Sequence, residues 1–375
     1  MRVRQIDTTN QRDTDRFIRF PLRLYKGNPY FCPALEPEMR AAMDRARHPF
    51  YRHSTADFFL AESEGQVLGR IAAVHNRLHN DYRQVKTAFF WAFDAVDDFQ
   101  VAERLFEAVF AWARARERDS ILGPRGLLGS DAAGVLVEGF EQRAVMGVPY
   151  NFPYYDTFLR RLGFEKLTDH LSGYLPASAE LPPRIRALAE KVGRRRGYRL
   201  VHFSGKDEMR RLAPAVMAVH EQAFAGSHEW HPISKEEMNW VAESLIAIAD
   251  PRLVKLVAKG EQVVGFGLLY PDLSDAIRRH GGRLNPLALL DLQRESRRTK
   301  WLIANGVGML PAHQNLGGNA VLYAGLYEAI RQVGQYEHID IVMVNEINFK
   351  SRSDMEAIGA KWYKTHRSYT RKLET

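Results

Sequence analysis

Hydrophobic and polar positions along this chain fall into patterns that recur at a fixed distance. Residues 3–6 alternate with the period of a short strand, and residues 11–25 carry apolar side chains at helical spacing. Residues 198–203 again read as a strand and 207–224 as a helix, with Ile6 and Val201 195 positions apart. Residues 58–62 and 67–74 flank Glu64-Gly65 and predict a hairpin, because glycine supplies the positive φ of a tight turn. Residues 253–258 and 263–269 repeat it around Lys259-Gly260, and Gly65 and Gly260 also differ by 195. Near each end, Leu162-Gly163-Phe164 answers Ile358-Gly359-Ala360. The pair His170 and His366 lies 196 apart, and Tyr174 and Tyr369 lie 195 apart. Landmarks that hold one offset over this length predict a duplicated α/β domain.

Each half continues as a middle strand, a helix, a further strand, a short helix and a last strand. In the second half these fall at 302–310, 320–331, 339–344, 354–358 and 366–372. The turn-rich stretch Pro176-Ala177-Ser178-Ala179-Glu180-Leu181-Pro182-Pro183 ends the first unit. A basic helix over 184–195 follows, stopped by Gly197. The expected division is therefore 1–175, a linker with the basic helix over 176–197, and 198–375.

Charge adds a preference for partners. Lys plus Arg number 53 against 45 Asp plus Glu, a net +8, which favours phosphates, acidic small molecules or nucleic acid. The Arg194-Arg195-Arg196 run reads either as a phosphate grip or as a solvated helix end complementing the helix dipole. Cys32 is the sole cysteine, so no intrachain disulfide forms; flanked by Phe31 and Pro33, it reads as a packed thiol. The polar start and the absence of any uncharged apolar run near about 18 residues predict a soluble, cytoplasmic protein with no membrane partner. Its oligomeric state is open.

The stretch richest in chemistry is Met309-Leu310-Pro311-Ala312-His313-Gln314-Asn315-Leu316-Gly317-Gly318-Asn319-Ala320. A strand ends at a proline, a glycine-containing turn follows, and a helix begins. The free N–H groups of a first helical turn suit a pyrophosphate. No Walker lysine and no G-x-G-x-x-G turn are present.

The order strand, Pro-x-x-Gln-x-x-Gly, helix resembles the pyrophosphate loop of the GCN5-related N-acetyltransferase (GNAT) superfamily. Gln314 and Gly317 fall in place, with Pro311 three before the glutamine, whereas Asn319 stands where that family has Gly or Ala. The resemblance implies two tandem acyl-CoA N-acyltransferase (GNAT-like) domains, each a mixed, mostly antiparallel twisted sheet flanked by helices. It also implies acetyl-CoA or another acyl-CoA as co-substrate. The coenzyme would be held by Met309, Leu310, Gln314, Asn315, Leu316, Gly317, Gly318, Asn319 and Ala320, with Asn348 after the next strand. The backbone amides of Met309 and Leu310 would polarise the thioester carbonyl. The family often has a tyrosine seven residues after that asparagine; here the position is Met355, which donates no proton.

Glu346 is the expected general base, or alternatively a helix cap or ion-pair partner. Tyr363 and His366 are candidate proton donors, or structural residues. In the first half Asp94-Ala95-Val96-Asp97-Asp98 replaces the glycine loop, and its carboxylates would repel pyrophosphate, so the coenzyme site is expected in the second half alone. Asn151, Tyr154 and Tyr155 either line a substrate pocket or belong to the core. His228, Glu229 and His231, like His75 and His79, lack the third-ligand spacing of a zinc site, and no metal is expected. The leading expectation is an acyltransferase acting on a small-molecule or protein amine. The alternatives are a transferase of this fold that takes its aminoacyl group from transfer RNA, and a non-catalytic acyl-CoA-binding protein.

Overall fold

A computed structural model describes residues 1–374 except 130, 132 and 227–229, so His228 and Glu229 lie outside the described residues. The first half runs β1 (Arg2–Gln5), α1 (Gln11–Leu24), α2 (Glu36–Met43), β2 (Thr55–Ser63), β3 (Gln66–His75) and α3 (Arg77–Arg83). It continues β4 (Thr87–Ala95), α4 (Phe99–Arg114), β5 (Ser120–Gly123), β6 (Val135–Glu138), α5 (Tyr154–Arg161) and β7 (Glu165–Pro176). Helix α6 (Pro183–Arg196) leads into β8 (Tyr198–Val201), α7 (Lys206–Phe224), α8 (Lys235–Ile248), β9 (Val254–Lys259) and β10 (Gln262–Pro271). Then follow α9 (Ser274–Arg279), α10 (Pro286–Arg298), β11 (Trp301–Met309), α11 (Gly318–Val333), β12 (His338–Asn345), α12 (Phe349–Ala357) and β13 (Lys361–Lys372).

The predicted hairpins are β2–β3 and β9–β10, and Gly65 and Gly260 take positive φ at their turns. Helix α4 forms because Val101, Leu105, Phe106 and Val109 recur on one stripe, all fully buried, behind an Asp98 cap that accepts from Gln100 N–H. Burying each such side chain contributes about 1.5–3 kcal/mol. The repeat reaches into this packing. A Cβ on Gly69 of β3 would lie 2.8 Å from Leu105 of α4, and one on Gly267 of β10 would lie 2.8 Å from Leu326 of α11. Each middle helix thus presses on its hairpin where only glycine leaves room.

The last strands are exchanged. All strands join one sheet in the order β1-β2-β3-β4-β5-β13-β7-β12-β11-β10-β9-β8, with β6 also paired to β13. Strand β13, the end of the second half, pairs with β5 of the first, while β7 pairs with β12 of the second. Strands β7 and β13 are antiparallel neighbours at the centre, and His170 and His366, the repeat mates, face each other across them. A local two-fold between the halves produces this arrangement, since equivalent residues meet on the axis.

Candidate functional site

Strands β11 and β12 pair in parallel only from Trp301↔His338 to Ala304↔Ile341. Beyond that they separate, for two local reasons. On β11 the ladder to β10 skips from Ala304 to Val307 opposite Leu269 and Gly267, and Gly306 takes φ +104°. On β12 the register to β7 shifts between Ile341 and Val344, with Met343 at φ +59°. Such bulges bend a strand out of its ladder. The split is walled by residues 305–309 and 342–345, all of which line a cavity of about 2190 Å³.

The first half repeats the device. Strands β4 and β5 pair from Thr87↔Ser120 to Phe89↔Leu122, then part beside Ala92 at φ +48°. Trp91, Phe93, Asp94 and Arg125 face the same cavity. The two splits therefore open into one continuous space with contributions from both halves. Its volume exceeds the roughly 300–1,000 Å³ of a pocket for one small ligand.

At the second-half split the backbone sorts the expected polarising groups. Leu310 N–H is bonded to Val264 O at 2.9 Å, so it is not available to a substrate. Hydrogen bonds alternate sides along an antiparallel strand, which turns Met309 N–H the other way, toward the split. Gln314 folds back to donate to Met309 O at 3.1 Å, and Gly317 caps α11 at φ +88°. A Cβ on Gly317 would lie 2.6 Å from Val192 of α6, and Leu316 O accepts from Arg196 at 3.1 Å. That side of the turn belongs to helix packing.

Of the expected coenzyme residues, Met309, Gln314, Asn319 and Asn348 line the cavity. Leu310, Asn315, Leu316, Gly317, Gly318 and Ala320 are off its lining. Asn319 Oδ1 is buried without a partner among the described residues, while its Nδ2 donates to Asp354 at 3.4 Å. Asn348 caps α12 by accepting from Ser351 N–H, and Lys350 stands on the lining beside it. Lys350 and the free N–H groups of a helix start are donors of the kind that suit the phosphates of a coenzyme, while the orphaned amide oxygen is an acceptor for a ligand N–H. Asp354 brings a carboxylate there, and it also accepts from Tyr323 at 3.2 Å.

The expected catalytic side chains lie elsewhere. Glu346 accepts from Lys166 Nζ and from Asp169 N–H, each at 2.9 Å, and does not line the cavity. Its oxygens are committed to β7, as the ion-pair reading has it. Tyr363 donates to Asp340, its hydroxyl pKa raised by burial and then by that carboxylate, and it too is off the lining. His366 is fully buried, pairs with Pro149 O at 2.9 Å, and is pushed down to about 3 by burial. Met355 packs in the second-half core. Cys32 faces the cavity as a thiol pushed up to about 12 by burial.

Asn151 pairs both ways with the Leu136 backbone, at 2.7 and 3.0 Å, and Tyr154 donates to Ala95 O at 2.8 Å. Tyr155 is 1% exposed in the first-half core and bonds Tyr25 at 3.0 Å. Asn151 and Tyr155 still border the cavity; Tyr154 does not.

Two imidazoles line the cavity near the split, His220 of α7 against the Phe266 ring and His170 of β7 opposite the end of β12. His170 is 6% exposed and lies 3.4 Å from Asn345 Nδ2 at the end of β12. Asn345 is itself fixed by accepting from Thr168 and from Ile347 N–H. In the sequence His170 is marked only as the repeat mate of His366. Of the carboxyls that border the cavity, Glu38 is raised by burial and then by the facing Asp131, and burial pushes Asp131 up to about 6. Among the described residues no group of three His, Cys, Asp or Glu is placed to hold a metal ion.

A buried clasp ties the halves together beside the cavity. Arg143, on the loop after β6, pairs with Asp272 and with Asp340 at 2.9 Å, over the Trp301 ring at 4.1 Å. Lys364, pushed down to about 8 by burial, donates to Arg143 O. The clasp holds the loop whose Met146, Val148 and Tyr150 wall the cavity.

No family model matches the chain. It is 26% identical over 375 residues to Protein YghO of Escherichia coli (strain K12), covering 97% of this chain and 94% of that protein. It is 26% identical over 367 residues to a bacterial ceramide synthase of Caulobacter vibrioides, covering 96% and 94%. Among solved structures, a tandem GNAT protein from the clavulanic acid biosynthesis pathway superposes with a TM-score of 0.58 at 12% identity, over 100% of this chain and 99% of that one. The fold is that of the GCN5-related N-acetyltransferases, built twice in tandem.

Proposed function

We propose that this protein is an acyl-CoA-dependent N-acyltransferase whose amine acceptor carries a long hydrocarbon chain. The observation behind this is the continuous cavity that runs from the β11–β12 split into the first half, with room for a long chain beside the coenzyme's acyl end. The likeness to a bacterial ceramide synthase agrees, since a ceramide is a long-chain amine bearing an N-acyl group. The basic helix α6 gives transfer RNA no comparable support: it packs on α11, and Arg196 caps the loop carbonyl of Leu316.

In the reaction the amine nitrogen bonds to the thioester carbonyl carbon and the carbon–sulfur bond breaks. Met309 N–H faces the oxygen that gains charge, a contribution that strengthens in the transition state. His170, steadied by Asn345, accepts the proton the amine loses and passes it to the departing thiolate, which leaves as the thiol. Glu346 is replaced in this role because its oxygens are engaged away from the cavity.

The test is thiol release from long-chain acyl-CoA in the presence of a C18 amino alcohol. Release that needs both substrates and falls about 100-fold or more in His170→Gln is expected, the usual contribution of a general base. Release with short amines only, or undiminished in His170→Gln, refutes the respective part of the reading.

A further inference from the structure

The halves differ most in one connection. Between β3 and β4 the chain inserts only α3, whereas between β10 and β11 it inserts α9 and α10. Helix α10 is amphipathic in the reverse of the usual sense. Its Asp291 and Glu295 turn toward the protein and pair with Arg279, and Asp291 also lies 3.0 Å from His280. Three of its four leucines turn outward: Leu287 is 71% exposed, Leu289 54% and Leu290 51%, while Leu292 is half-buried and Ala288 is the helix's buried residue. At 100° per residue, Leu287 and Leu290 share a face with Arg294, Arg297 and Arg298, all exposed. None of those three arginines has an ion pair among the described residues. The adjoining Leu289, Leu292 and Arg297 line the cavity, so the exposed leucines continue into its apolar wall.

We propose that α10 docks this protein on the surface of an anionic phospholipid bilayer, its leucines entering the interface and its arginines meeting the phosphates. Charge complementarity argues for the lipid: the helix is leucine-rich at its start and cationic at its end, on a chain of net charge +8. Among the described residues no helix is long and apolar enough to cross a membrane, so the proposal has α10 lie on the bilayer, and in this it departs from the expectation of no membrane partner. The inference rests on the long-chain reading above, because such an amine resides in membranes and must reach the cavity from one.

The experiment is co-sedimentation of the full chain with vesicles of phosphatidylcholine alone or with about one third phosphatidylglycerol. Binding to the anionic vesicles that weakens in high salt is expected, with a drop of at least tenfold in the double variants L287S/L290S and R294E/R298E. Those side chains are exposed and off the cavity lining, so thermal melting should not change. Wild type that stays in solution with both vesicles overturns the proposal, as does L287S/L290S that sediments like wild type. A dimer that L287S/L290S breaks, without vesicle binding, assigns the face to a second copy and overturns it too. Thiol release with detergent-dispersed amine separates the two ideas. If it is absent while vesicle binding is intact, the acyl-transfer reading fails and the docking stands.

Discussion

Replacing Arg143 with methionine should destabilise the protein by an amount that depends on pH. The substitution keeps the aliphatic stem and removes the cation between Asp272 and Asp340, both essentially inaccessible to solvent. An uncompensated buried charge costs about 3–5 kcal/mol. The same figure follows from protonation. If one carboxyl must hold a proton in the folded variant at pH 7 while its unfolded pKa is about 3.9, the three-unit gap is worth roughly 4 kcal/mol at 1.36 kcal/mol per unit. The folded variant then binds more protons than its unfolded chain, so the deficit shrinks as pH falls, to roughly 1.5 kcal/mol at pH 5. Burial already raises Asp340 in the wild type, the direction this requires. Urea denaturation of wild type and variant from pH 5 to pH 7.5 measures it. Adding Asp340→Asn to the variant should recover most of the loss. A deficit under about 1 kcal/mol, or one that does not change with pH, would refute the reasoning.

Three further outcomes are expected. Gly317→Ala should lose roughly 1–3 kcal/mol in chemical denaturation even without coenzyme, because its Cβ meets Val192 at 2.6 Å and its φ is +88°; wild-type stability would contradict the packing. Asp131→Asn should gain up to about 2–3 kcal/mol at pH 7, since the wild-type carboxyl, pushed up to about 6, is disfavoured when charged. That gain should fade below about pH 4, where the carboxyl is protonated in both states; a loss at pH 7 would contradict it. Ser234→Ala removes the capping box at the start of α8 and should cost about 1 kcal/mol, read as a lower melting temperature.

The hairpins, the middle strands and the helix after the Gln314 loop were legible because each is written in local period and turn chemistry. The repeat offset, 196 at this point, even brought His170 and His366 together as equivalents, and they prove to be cross-strand partners. The exchange of β7 and β13 was not legible, since alternation states that a segment is a strand and not which strand it joins. Glu346 stands one residue past β12, where a base is expected, but its direction is set by Lys166 on β7, 180 positions away. The Arg143 clasp is equally non-local, joining residues about 200 positions apart. The inverted pattern of α10 was available in the sequence, yet a leucine-rich segment reads as core until its accessibility is known.

Calorimetric titration of octanoyl-coenzyme A into the wild type and Lys350→Glu tests the central claim most directly. Lys350 is exposed, lines the rim beside Asn348, and can be reversed in charge without disturbing the core. Micromolar binding to the wild type, weakened at least tenfold in the variant, is the result expected if the coenzyme's phosphates sit at this rim and its thioester in the β11–β12 split. No binding to the wild type, or equal binding to both, would contradict a coenzyme site in the second half.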